Sequence, residues 1–240
     1  MCTVTFLPLA NNNFILTSNR DETPLRETFP PTEYIENGVK MVFPKDKLAG
    51  GTWIGTSSKN RLVCVLNGAF IKHKRKANYK KSRGLIAKEL LQSDNFQDYI
   101  KHLNLEEIEP FTMVIVDWNN NNLNLFELIW DDEQKQFTKL QNDPKIWSSA
   151  TLYSNEIKAL RKKWFQNWIK ENDFNASTIL EFHHSEIGDK EQSIFMKRPY
   201  VETVSITSIK KENKSLEMIY EDIVHAKKLQ LKLNLQKTIE

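Results

Sequence analysis

Residues 2–22 read CTVTFLPLANNNFILTSNRDE, and this stretch decides the fold. Residues 3–7 and 14–18 are rich in β-branched and aromatic side chains, the composition of strands. Asn11-Asn12-Asn13 between them is a turn signal. A strand, a turn and a returning strand carry residues 19–21 back beside the start of the chain. Asn19-Arg20-Asp21-Glu22 is therefore a polar cluster at the end of the hairpin that holds Cys2.

The same pattern recurs outward from this hairpin. Residues 52–57 and 61–67 read as two strands around Ser58-Lys59-Asn60, and 111–118 and 123–129 as two more around the Asn119–Asn122 run. Pro24, Pro30, Pro31 and Pro44 mark the segment after the first hairpin as a loop. Ser82 caps a helix running to about Leu91, and a second short helix covers 94–103. Ile157, Leu160, Trp164 and Trp168 recur at helical spacing within 155–170, and another helix covers 176–184. Strands at 201–208 and 215–220 close the pattern. Hairpins imply antiparallel sheets, and helices grouped between them imply α+β: two sheets covered by helices. The expected organisation is a single domain over 1–224 and a charged helical tail over 225–240.

The chain has 240 residues, is 40% hydrophobic and 27% charged, and carries a formal charge of +3. That is the profile of a globular protein. The charge is too small to imply nucleic acid. No apolar run approaches the roughly 20 residues that span a bilayer, so no stable membrane insertion is expected. The start of the chain lacks the basic and apolar regions of a signal peptide. Two cysteines, Cys2 and Cys64, make neither a disulfide framework nor a metal cluster. The expected setting is the cytoplasm, with both thiols reduced.

Cys2 follows Met1, and its small side chain permits removal of that methionine. It would then carry a thiol, with a reference pKa of about 8.5, beside an α-amine of about 7.7–8.0, close enough to exchange a proton near neutral pH. Position alone leaves a second reading open, a small buried residue at a strand start. The neighbouring cluster adds weight to the first. A carboxylate at Asp21 can hold the α-ammonium, and an Arg can stabilise thiolate.

Cys2-Thr3, Thr17-Ser18-Asn19-Arg20-Asp21-Glu22 and Gly50-Gly51-Thr52-Trp53-Ile54-Gly55 together resemble the NRDE, or transport and Golgi organisation protein 2-like, family. The resemblance runs to about Tyr220. It implies the four-layer αββα sandwich of N-terminal-nucleophile hydrolases, a fold shared with cholylglycine hydrolases, penicillin V acylases and acid ceramidase. Those enzymes use an N-terminal Cys on C–N bonds other than peptide bonds. By resemblance, Cys2 is the nucleophile and Asp21 orients its amine, and Asn19 belongs to the substrate-binding surroundings. The cousins also place an Arg three residues before that Asp. Here Ser18 stands there, and Arg20 points to the opposite face if the strand stays regular.

Further candidates each carry two readings. Asn67 is an oxyanion donor with Gly68 admitting substrate backbone, or Asn67-Gly68 is a hairpin turn. Ser154-Asn155 is the place of a second functional Asn, or Ser154 caps the next helix. Trp53 lines the pocket or packs in the core. Many relatives carry Gly-Thr-Arg before the late strand, where this chain has Pro199-Tyr200-Val201-Glu202-Thr203, so the Arg that cousins place nearby is missing unless Arg198 substitutes. The basic run from Lys72 to Arg83 binds an anion or is a solvated loop. His183-His184 is expected at a helix end, where a cation suits the dipole. The expected activity is hydrolysis of a small non-peptide amide without a cofactor. The alternative is a haem- or lipid-binding or trafficking protein on the same scaffold, its partner a lipid-like ligand.

Overall fold

The computed structural model describes residues 3–119 and 122–233. The chain divides into two compact units, one from Met1–Arg26 with Asp143–Leu233 and one holding Glu27–Asn142. Each is an antiparallel sheet with helices, so the class is α+β. Elements are numbered in chain order.

The first unit contains a sheet ordered β10-β1-β2-β11-β12-β13, from strands β1 (Thr3–Leu9), β2 (Asn13–Glu22), β10 (Lys145–Ser148), β11 (Glu202–Glu212), β12 (Ser215–Asp222) and β13 (Lys227–Leu233). β1 and β2 pair from Thr3–Asn19 to Leu9–Asn13. Asn11 and Asn12 hold the turn between them at φ 59° and 57°, left-handed values that Asn tolerates better than most residues. Helices α3 (Asn155–Glu171) and α4 (Ala176–His183) accompany this sheet. Leu7 and Ile15 from the strands pack with Phe165, Ile179, Phe182 and Ile194. Neighbouring residues on β1 and β2 alternate faces, so Ile15, Thr17, Asn19 and Asp21 share the face of Ile15. Asn175 caps α4, its side chain accepting from the amides of Ser177 and Thr178.

The expected helical tail is a strand over 227–233; residues 234–240 lie outside the described part. Leu229, Leu231 and Leu233 alternate with Lys228, Gln230 and Lys232, a period of two that suits an edge strand half in water. Alternation, not charge, decides the element.

The second unit is a seven-stranded meander: β3 (Thr28–Glu36), β4 (Val39–Asp46), β5 (Ile54–Ser57), β6 (Arg61–Asn67), β7 (Phe111–Asp117), β8 (Asn124–Trp130) and β9 (Lys135–Leu140). Met41, Phe43, Val63, Val65 and Met113 build a core with Ile86, Leu90 and Leu91 of α1 (Arg83–Gln92) and Ile100 of α2 (Phe96–His102). The proline-rich segment expected as a loop is the β3–β4 hairpin. Its turn is Asn37-Gly38, at φ 51° and 72°, the two positive values of a type I′ turn. Pro30 and Pro31 fit because β3 is an edge strand whose register shifts between Phe29 and Thr32. β9 and β10, short strands with mostly polar sides, were also not expected from the sequence.

The Gly-Gly-Thr-Trp stretch serves packing in this unit. A Cβ on Gly51 would lie 2.6 Å from the carbonyl carbon of Gly84, the second residue of α1. Gly50 takes φ 67°. The Thr52 hydroxyl lies 2.7 and 2.8 Å from the Pro44 and Ile54 carbonyls and donates its one proton between them. The glycines let the start of a helix touch a turn backbone to backbone.

Candidate active site around Asp21

Cys2 lies outside the described residues. Thr3, to which it is joined, pairs with Asn19 of β2 on one side and Ser148 of β10 on the other. The chain thus enters the sheet between β10 and β2, beside the Asn-Arg-Asp-Glu stretch.

Asp21 is buried at the end of β2, opposite Thr203 of β11. The Thr203 hydroxyl donates to Oδ1 at 2.6 Å, and the Tyr153 hydroxyl donates to Oδ2 at 3.1 Å. Thr203 is fixed in turn: its oxygen accepts from the Met196 amide at 3.0 Å, and its own amide donates to the Met196 carbonyl at 2.9 Å. With a donor on each oxygen, the carboxylate has one orientation.

Arg161, on α3 and fully buried, joins this cluster to the start of the chain. Its guanidinium carbon sits 3.6 Å from the Tyr153 ring centroid. Nη1 donates to the Thr3 hydroxyl at 2.6 Å, Nε to the Gln192 carbonyl at 2.9 Å, and Nη2 to the Ser193 carbonyl. A buried guanidinium needs such acceptors, and here they tie Thr3 to the ring that holds Asp21. Arg198 also approaches that ring, 5.3 Å from its centroid. It donates to the Leu152 carbonyl at 3.1 Å and the Glu191 carbonyl at 2.7 Å.

Asn19, expected to bind substrate, is fully buried with its amide engaged. Nδ2 donates to the His183 and Ile194 carbonyls at 3.0 and 2.9 Å, and Oδ1 is 2.6 Å from His183 Nδ1. Oδ1 can only accept, so Nδ1 carries the proton, and Nε2 accepts from the Thr5 hydroxyl at 2.7 Å. His183 is therefore neutral, not the helix-end cation expected from its position. Burial, then the neighbouring His184 and Arg161, push its pKa down to about 3. Asn19 clamps α4 to the sheet through these bonds.

Arg20 is buried on the opposite face of β2 from Asp21, since the register shift lies in β11, between Thr203 and Ser205. It acts electrostatically on Tyr220, whose phenol burial pushes up to about 12 against the pull of Arg20. Ser154 caps α3 through the Ile157 amide at 3.4 Å, and Asn155 is the exposed first helical residue.

Asn67, Gly68 and Trp53 belong to the second unit. Asn67 ends β6, half-buried, paired with Phe111. It does not form a hairpin turn: Gly68, at φ 80°, donates to the Pro110 carbonyl at 3.0 Å and accepts from the Thr112 hydroxyl at 3.1 Å. Trp53 is buried, and its carbonyl accepts from the Val65 amide at 2.7 Å. Among the described residues no group of His, Cys, Asp and Glu is arranged to hold a metal ion.

Tyr153 and Arg161 were missed by sequence reasoning. Their partners lie 132 and 158 residues away, so no local spacing announces them.

Three solved structures share this architecture. Penicillin V acylase from Agrobacterium tumefaciens matches with a TM-score of 0.59 at 14% identity, over 98% of this chain and 88% of that one. A Caenorhabditis elegans N-acylethanolamine-hydrolyzing acid amidase ortholog matches at 0.58 and 12%, over 87% and 92%. A conjugated bile acid hydrolase from Clostridium perfringens matches at 0.54 and 10%, over 100% and 99%. No curated protein matches the sequence itself. The likenesses establish the fold, the α+β architecture of N-terminal-nucleophile hydrolases, at identities where activity does not transfer. The family model for transport and Golgi organisation 2 matches residues 1–227, and the chain belongs to that family.

Proposed function

We propose that the protein is an N-terminal-cysteine hydrolase acting on the C–N bond of a small non-peptide amide. The observation that carries this is Asp21: a buried carboxylate with both oxygens held, on the strand that pairs with the first described residue of the chain. Two of the structural neighbours are named as an acylase and an amidase, and the third as a hydrolase of conjugated bile acids.

With Met1 removed, Cys2 carries a free α-amine, and Asp21 holds it. The amine takes the thiol proton, and the thiolate sulfur attacks the amide carbonyl. The tetrahedral oxyanion collapses as the α-ammonium returns the proton to the leaving nitrogen, giving a free amine and a thioester. Water then loses a proton to the α-amine and attacks the thioester, releasing a carboxylic acid and the thiol. Such an oxyanion is stabilised by preorganised hydrogen-bond donors. Arg20 faces away from Asp21 and acts on the Tyr220 phenol; Asn155 is exposed at the start of α3.

A panel of N-acyl amides offered to protein lacking Met1, wild type against Cys2→Ala, tests this. Turnover lost in Cys2→Ala is the expected result. No turnover of any amide, with haem or acyl-chain binding that survives Cys2→Ala, would replace this conclusion with a binding protein.

A further inference from the structure

Between β6 and α1, residues 68–82 form no regular element beyond one bridge from Lys81 to Ile108. An irregular connection of about 15 residues is long for a compact unit, and such loops ordinarily have a function. Its charge is one-sided. From Arg61 to Lys88 the sequence has no Asp or Glu, while seven Lys and Arg residues fall between 72 and 83. Some of that charge is compensated from elsewhere: Arg83 pairs with Glu109 at 3.0 Å, Lys81 with Glu89 at 2.6 Å and Lys76 with Asp132. Lys72, Lys74 and Lys80 are exposed and have no ion pair among the described residues.

Directly before these lysines stand Phe70 and Ile71, 45% and 71% exposed. A bulky apolar side chain exposed to that degree, next to unpaired cations, matches an interface that is apolar a few ångströms below an anionic surface. The loop is shaped rather than loose, since the Lys80 amide donates to the Glu107 carbonyl at 2.9 Å and the Lys76 amide to the Tyr79 hydroxyl at 2.9 Å.

We propose that the 70–80 loop is a peripheral docking surface for an anionic lipid bilayer, with Ile71 and Phe70 entering the headgroup boundary and Lys72, Lys74 and Lys80 meeting lipid phosphates and carboxylates. No described helix is long and apolar enough to cross a membrane, and this contact needs none. A nucleic acid would use the charge but not the exposed isoleucine, and the small net charge of +3 gives little long-range attraction for a polyanion. The proposal stands independently of the hydrolase reading.

The test is co-sedimentation of the full chain with vesicles of equal parts phosphatidylserine and phosphatidylcholine, against phosphatidylcholine alone. Binding to the anionic vesicles only, weakening as salt rises, is expected. Lys72→Ala with Lys74→Ala should lower partitioning about fivefold per lysine, and Ile71→Ser about tenfold. These side chains are exposed, so the variants fold. Lys162→Ala with Lys163→Ala, exposed on α3, removes the same charge outside the loop and should leave partitioning nearly unchanged, because the proposed contact is made by the loop itself. Equal loss in that control, equal binding to neutral vesicles, or no vesicle binding overturns the proposal. So does binding to heparin or RNA that needs the lysines while vesicle binding is unaffected by Ile71→Ser.

Discussion

The Tyr153 hydroxyl donates to Asp21 Oδ2 at 3.1 Å while the face of the same ring receives the Arg161 guanidinium, 3.6 Å from its centroid. One aromatic ring therefore connects the carboxylate of β2 to the arginine that holds Thr3, the residue after Cys2. The start of the chain and the carboxylate proposed to hold its amine are positioned by one set of contacts within a single unit.

Tyr153→Phe keeps the ring over Arg161 and removes only the donor to Asp21. A hydrogen bond to a charged group is worth about 2 kcal/mol, so urea denaturation should show a loss of that order. Thiol labelling of Cys2 should slow and shift its pH profile, because the carboxylate that orients the amine is less fixed. Lost stability with an unchanged labelling profile would mean that Tyr153 supports the fold alone.

Asp21→Asn should preserve the fold, since the replacement is nearly isosteric. It should slow Cys2 labelling about tenfold, the effect of moving the amine that takes the thiol proton by one pKa unit. Labelling at the wild-type rate would reduce Asp21 to a structural anchor for Tyr153 and Thr203.

His183 gives the fold an acid sensitivity of known sign. Its pKa is held near 3 in the folded chain, below the ordinary value of 6.5, so the unfolded chain binds the extra proton between those values. Its contribution to stability is complete above about pH 6.5 and is lost as pH falls toward 3, at up to about 1.4 kcal/mol per pH unit. His183→Gln, which can still bridge Asn19 and Thr5, should show a flatter stability curve across that range. Identical slopes by urea denaturation would show that the ring is not held neutral.

Gly51→Ala should be strongly destabilising, by about 3 kcal/mol or more, because its Cβ would meet the backbone of Gly84 at 2.6 Å. Backbone cannot yield as a flexible side chain does. A melting temperature within a degree or two of wild type would contradict this packing role for the Gly-Gly-Thr-Trp stretch.

The first hairpin, the four helices and the polar cluster at Asp21 were legible because each rests on local pattern. The β3–β4 hairpin was hidden by its prolines. Asn37-Gly38, the strongest short turn signal in the segment, outranks them physically, since Pro30-Pro31 needs only an edge and a bulge. The tail was misread because Lys, Leu and Gln all favour helix by propensity, while the alternation of Leu229, Leu231 and Leu233 with Gln230 and Lys232 has the period of a strand. Asp21 could be picked from sequence, but its partners could not. Tyr153 and Thr203 reach it from a loop and a strand that only the folded sheet brings close. Asn19's bonds to His183 and Ile194 were equally hidden, since both partners lie more than 160 residues away.

The central claim is that Cys2, freed of Met1, is the reactive nucleophile. Mass analysis of natively produced protein, intact and after brief iodoacetamide treatment with peptide mapping, tests it most directly. The account predicts a chain without Met1 and an adduct on Cys2, with Cys64, buried in β6, left unmodified. Quantitative retention of Met1, or labelling of Cys64 as fast as Cys2, would contradict it.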